Sequence, residues 1–328
     1  MRRREFLGLT GFLAAWTRVA HAQQPNRTRR VAILMPYPES DQEVQARVAA
    51  MRTELRKLGW SEGENLHIDE RWATDNLDRL RADAADLVKL GPDVIFITGG
   101  RVVPIIQRQT RSIPTMFVGV TDPLGQGYVE SLARPGGNIT GIASPEYSVV
   151  YKLLELLKEI APNVQRAALV SNPENTSTVF YRRHFETAAP ALGVQPVIMP
   201  VQRPADIERA FETFAQQPRG GLVFPSDLTL LAHRQIVTAL ALRHRLPAIY
   251  SDRAMVISGG LASYSADRTT MFQRGAVYVD RILRGEQPGD LPVQQPTRYE
   301  LVINTKSATA LGLEIPTGLL ARADEVVE

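Results

Sequence analysis

Val94-Ile95-Phe96-Ile97-Thr98-Gly99-Gly100-Arg101 runs five residues of high β propensity straight into two glycines and an arginine. The apolar residues are contiguous rather than alternating. That is the pattern of a strand buried on both faces of a parallel sheet. Similar runs lie on either side, at Val31–Met35, His67–Trp72, Thr115–Val120 and Ile139–Ala143. A second series follows at Ala167–Val170, Gln195–Met199, Gly221–Phe224, Ala248–Tyr250 and Leu261–Ser263. Between the runs, apolar residues recur at helical spacing, as in Val44, Val48, Met51, Leu55 and Leu58, or Leu77, Leu80, Ala84, Leu87 and Val88. Gly59 and Gly91 stand where helix stop signals belong. Strand–helix alternation of this kind predicts an α/β fold with doubly wound parallel sheets and right-handed crossovers.

The pattern runs twice. Strand, helix, Leu58-Gly59, strand, helix and the strand at Val94 are matched by a strand at Ala167, a helix, Leu192-Gly193, a strand, a helix and the strand at Leu222. Two similar lobes joined by a hinge are expected, with a boundary near Ser144–Val150. A helix over Thr269–Leu283, a Gly/Pro-rich stretch over Gly285–Pro296, a strand over Tyr299–Asn304 and a short helix end the chain. Their position after the second lobe predicts crossings back between lobes. Residues 23–143 with about 267–298 are assigned to the first lobe, and 144–266 with about 299–328 to the second.

The first 22 residues read as a cleavable signal peptide. Arg2-Arg3-Arg4 precede a short apolar stretch that ends at Ala20-His21-Ala22, a small-x-small cleavage site. Arg3-Arg4 followed by Phe6-Leu7 also fits a twin-arginine signal, so both the twin-arginine and the Sec routes are open. The apolar stretch is shorter than the roughly 20 residues a spanning helix needs. The leader holds four arginines and one glutamate, leaving 34 basic against 34 acidic residues. The basic character of the whole chain therefore belongs to the leader and gives no reason to expect a nucleic-acid partner. With no cysteine anywhere, disulfides, thiolate metal sites, a cysteine nucleophile and a lipidated N-terminus are all excluded. Export without an anchor points to the periplasm.

The motifs of common enzymes are missing. The sequence has no Gly-x-x-x-x-Gly-Lys-Ser/Thr loop and no Gly-x-Ser-x-Gly elbow. Met35-Pro36-Tyr37-Pro38 stands where a dinucleotide fingerprint would follow the first strand. The five histidines show no metal-ligand spacing, and His233 and His244 suit surface or capping roles. No cofactor or metal is expected. What remains is a set of polar and small residues at the carboxyl ends of strands, where ligands bind in open α/β sheets. Tyr37 follows the first strand, Gly100 and Arg101 the third, and Thr121 and Asp122 the fourth. Asn172 and Asn175, Asp227 and Asp252 hold matching places in the second lobe. Each Asn or Asp is either a helix cap or a ligand contact. Tyr147 at the first crossover and Tyr264 after the last second-lobe strand either wall a ligand or pack in the hinge.

The chain resembles the ABC-transporter substrate-binding protein family that includes tryptophan- and tyrosine-type amino-acid binders. The resemblance rests on Leu58-Gly59-Trp60-Ser61-Glu62-Gly63-Glu64-Asn65, on Asp122-Pro123-Leu124-Gly125 and on Leu132-Ala133-Arg134-Pro135-Gly136-Gly137-Asn138-Ile139-Thr140-Gly141. Arg245-Leu246-Pro247-Ala248-Ile249-Tyr250 and the tail from Pro296 through Arg322-Ala323-Asp324-Glu325-Val326 carry it further. It implies a type I periplasmic-binding fold that encloses a small solute between two lobes and delivers it to an inner-membrane ABC permease, acting as a monomer. A periplasmic sensor presenting ligand to a membrane receptor is the alternative; an exported enzyme is disfavoured. Where the family has a small residue after the paired glycines, this chain has Arg101. An arginine there either pairs with a ligand carboxylate or fills space an aromatic amino acid would take.

Overall fold

The computed structural model describes residues 27–73, 76–144, 147, 149–175 and 177–328. The leader lies outside the described residues. The first half contains β1 (Arg29–Met35), α1 (Gln42–Lys57), β2 (Leu66–Trp72), α2 (Leu77–Lys89), β3 (Val94–Thr98), α3 (Val103–Gln109), β4 (Thr115–Val120) and β5 (Ile139–Ala143). Next come α4 (Val149–Ile160), β6 (Arg166–Ser171), α5 (Thr178–Ala191), β7 (Gln195–Pro200), α6 (Pro204–Ala215) and β8 (Gly220–Phe224). They are followed by α7 (Leu228–Ala232), α8 (Arg234–Arg243), β9 (Ala248–Tyr250), α9 (Arg253–Ile257) and β10 (Ala262–Ala266). The chain closes with α10 (Arg268–Leu283), β11 (Tyr299–Asn304), α11 (Thr305–Ala310), α12 (Thr317–Leu320) and β12 (Glu325–Val327).

Two sheets result. The first has the order β2-β1-β3-β4-β5, all parallel, and the second β12-β11-β10-β9-β8-β6-β7, with β11 antiparallel to β10. These are the two doubly wound lobes of a type I periplasmic-binding fold. Every residue of β3, β4, β5 and β8 is buried, as their unbroken apolar runs require of strands covered on both faces. The strand order reverses between β1 and β3 in one lobe and between β6 and β8 in the other. Those reversals open crevices at the carboxyl ends of the strands.

The chain passes from one sheet to the other after β5, again between β10 and α10, and again before β11. Although α10 follows β10, it packs on α1 and on β3, β4 and β5 of the first sheet. Gly275 permits this close approach, since a Cβ there would stand 2.8 Å from the Phe96 ring. Two features depart from the sequence reading. The last parallel strand of the second sheet covers Ala262–Ala266 rather than ending at Ser263, and the tail adds β12, a three-residue strand held by β11.

The lobes meet along α1. Asp41, which caps α1, accepts from Arg234 Nη1 at 2.8 Å. Glu43 pairs with Arg253 at 3.0 Å, and Arg47 with Asp252 at 3.2 Å. All three partners lie on the second lobe, so the contacts can form only while the lobes are together.

Candidate ligand-binding site

The carboxyl ends of both sheets face each other across a polar pocket with about 430 Å³ of empty space. From the first lobe come Tyr37, Thr98, Gly99, Gly100, Arg101, Gly119 and Thr121; from the second come Asn175, Ser177, Ser226 and Leu228. Arg268, at the start of α10, completes the wall. Gly99 takes a φ of +81°, and a Cβ there would lie 2.9 Å from Leu228 Cδ1 of the facing lobe. A side chain at this position would be strained by its φ and would require Leu228 of the facing lobe to shift.

Two polar bridges join the rims. Arg101 Nη1 donates to Thr229 Oγ1 at 3.2 Å. The hydroxyls of Thr121 and Tyr181 lie 3.1 Å apart, and the Gln126 amide donates to the Thr121 carbonyl. Thr229 Oγ1 also accepts from Asn172 Nδ2 at 2.9 Å. Arg101 is thereby tied into the second lobe's polar network. Tyr37 is buried, and the loss of hydration pushes its phenol pKa up, keeping it neutral as a hydrogen-bonding wall.

The acidic residues of the second lobe stand behind the pocket. Asp227 caps α7, with Oδ1 accepting from the Thr229 and Leu230 amides at 2.9 and 3.2 Å. Its Oδ2 accepts from Asn172 N at 3.0 Å and Asn175 Nδ2 at 3.2 Å. Burial raises its pKa against the pull of these donors. Asp252 caps α9 through the Ala254 amide at 2.9 Å and lies between Arg47 and Arg268 Nε, the latter at 2.7 Å. Burial raises its pKa too, but the two guanidiniums outweigh that effect and hold it below the usual carboxylate range. The Arg268 Nε contact is an ion pair without hydrogen-bond alignment, while Arg268 Nη2 donates to Ser226 Oγ at 3.0 Å.

Of the residues proposed from sequence, Tyr37, Gly100, Arg101, Thr121 and Asn175 line this pocket. Asn172, Asp227 and Asp252 form the layer that positions its walls. Asp122 and Tyr147 face a different cavity of about 660 Å³, shared with Leu124 and His184. Asp122 adopts a φ of 44°, and its Oδ1 accepts from Gly125 N at 2.7 Å. Tyr147 stacks on Phe180 with ring centroids 4.8 Å apart. Tyr264 stacks on Tyr299 and borders a third cavity, of about 330 Å³, at the hinge.

Arg268, Ser177 and Leu228 are pocket residues that the sequence does not single out as ligand contacts. Ser226 carried a signal, since it directly precedes Asp227 at a strand end. Arg268 is hidden because the sequence pattern ends the strand before it at Ser263, three residues short of its end at Ala266. Among the described residues no group of three His, Asp or Glu is placed to hold a metal ion, and no helix is long and apolar enough to cross a membrane.

The family model for "ABC transporter substrate binding protein" matches residues 31–327. A tyrosine-binding protein of Clostridioides difficile is 24% identical over 284 residues, covering 87% of this chain and 80% of that protein. Among solved structures, a conserved domain protein from Vibrio cholerae superposes with a TM-score of 0.84 at 29% identity, covering 92% of this chain and all of that one. An ABC domain from Streptococcus pneumoniae, solved in complex with L-Trp, gives the same TM-score at 23% identity and the same coverage.

Proposed function

Because the chain belongs to the ABC transporter substrate-binding protein family, a family of binding proteins rather than enzymes, we propose that it captures a small carboxylate-bearing solute between its lobes and hands it to an inner-membrane permease. The observation that carries this reading is the pocket at the facing strand ends, to which both lobes contribute and in which Arg101 reaches across to Thr229. A solute that touches both walls favours the lobes-together arrangement, because only differential binding moves such an equilibrium. Tyr37, Gly100, Arg101, Thr121 and Asn175 would touch the solute. Asn172, Asp227 and Asp252 would hold those groups in place, and Asp122, Tyr147 and Tyr264 would sit beside the hinge. Residues 23–143 with about 267–298 would move against the remainder. The named ligands of two relatives, tyrosine and L-Trp, support a carboxylate-bearing solute, since both carry that group.

The leader and the absence of cysteine support a free periplasmic protein. A thermal-shift panel of amino acids, organic acids, sugars and polyols tests capture directly. A true ligand at 100 times its Kd should add about 2.7 kcal/mol of stability. Silence across the panel would remove the proposal.

A further inference from the structure

We infer that the pocket is built for an organic carboxylate that carries no ammonium group. This deepens the capture reading and rests on it. Among the described residues that line the pocket, the only charged ones are Arg101 and Arg268. The remaining polar lining consists of hydroxyls, an amide and backbone. Those oxygens can accept hydrogen bonds from an ammonium group, but none of them balances its charge as an unpaired carboxylate would. The two nearby carboxylates already have partners. Asp227 accepts four hydrogen bonds from its own lobe. Asp252 lies between two guanidiniums and the Ala254 amide. Asp122, the next acid along the chain from the pocket wall, faces the separate cavity beside Tyr147.

The charge count agrees. Of the two charges that line the pocket, Arg268 is paired with Asp252, while Arg101 has no carboxylate partner among the described residues, leaving its positive charge in excess. A single ligand carboxylate cancels that excess, whereas a zwitterion leaves it in place. The geometry supplies donors for the task. Arg268 spends Nε on Asp252 and Nη2 on Ser226, while its Nη1 lies against Gly119, where a Cβ would stand only 3.1 Å from it. Guanidinium groups present several donors in a fixed fork suited to carboxylates.

Calorimetric titration of the mature protein with matched pairs tests this: L-phenylalanine against 3-phenylpropionate, and L-glutamate against glutarate. At least one deaminated acid should bind, and at least tenfold more tightly than its amino-acid partner. Arg101→Ala, a partly exposed site with one side-chain bond, should weaken that acid tenfold or more. Arg268→Lys, which keeps the charge but loses the fork, should weaken it as well. If an amino acid binds as tightly as its acid, or if only an uncharged polyol or sugar binds, the inference falls and capture stands. Unchanged acid affinity in both variants also overturns the inference. If no compound of any class binds, capture itself falls.

Discussion

Asp252→Asn should cost the protein its grip on ligand while leaving its fold intact. Asp252 belongs to the second lobe, and its two cationic partners do not: Arg47 is on α1, and Arg268 opens the helix packed on the first sheet. Asparagine is isosteric and caps helices as well as aspartate does, so α9 keeps its bond to the Ala254 amide. Only the charge is lost, and it is lost between guanidiniums whose side chains are 7% and 12% exposed. Removing one partner of a buried ion pair costs about 3–5 kcal/mol. The lower end applies, because parting the lobes lets water reach both arginines. A loss of about 3 kcal/mol from the lobes-together state corresponds to roughly a 100-fold rise in Kd. Calorimetry on the variant reads that rise, and the melting temperature without ligand should barely move. Adding Arg47→Met to Asp252→Asn should recover part of the affinity, because one of the two unpaired cations is gone. A Kd within threefold of the parent protein would refute the role assigned to this contact.

Two stability predictions follow from local geometry. Arg245 follows α8 at a φ of 52°, with its amide bonded to Leu242 O and the Leu246 amide to Ala241 O. That is the helix-ending motif in which glycine is favoured, so Arg245→Gly should stabilise the protein by about 0.5–1 kcal/mol in urea unfolding. Glu300, on β11, has its pKa pushed up to about 7 by burial and by the neighbouring Asp267. A carboxyl raised in the folded state contributes stability below its unfolded pKa and loses it as pH rises through about 7. Glu300→Gln should therefore flatten the pH 5–8 stability profile and gain about 1 kcal/mol at pH 8, after allowance for solvent screening.

The strands were legible because burial on both faces demands contiguous apolar residues, and Val94–Thr98, Thr115–Val120 and Ile139–Ala143 are such runs. The end of β10 was not legible. Tyr264-Ser265-Ala266 lacks that signature and becomes a strand by pairing with β11, more than thirty residues later. β12 likewise exists through its partner β11. That one misread strand end concealed Arg268, which stands just beyond it. Helix capping by Asp227 and Asp252 could be anticipated from residue type and position. Their other bonds could not: Arg47 and Asp252 are 205 residues apart and meet only because the lobes do. Asp122 and Tyr147 were placed at the right ends of the right elements, but which cavity each faces depends on backbone geometry that the sequence does not declare.

The central claim is that a solute draws the lobes together. A chain without cysteine can be labelled wherever one is introduced. Ala46 on α1 and Gln235 on α8 are both exposed and flank the Asp41–Arg234 pair across the lobes. Nitroxides at Ala46→Cys and Gln235→Cys report the interlobe distance by pulsed electron resonance. Capture between the lobes requires the distance distribution to shorten and narrow when the bound acid reaches saturation. A distribution unchanged at proven saturation would contradict it.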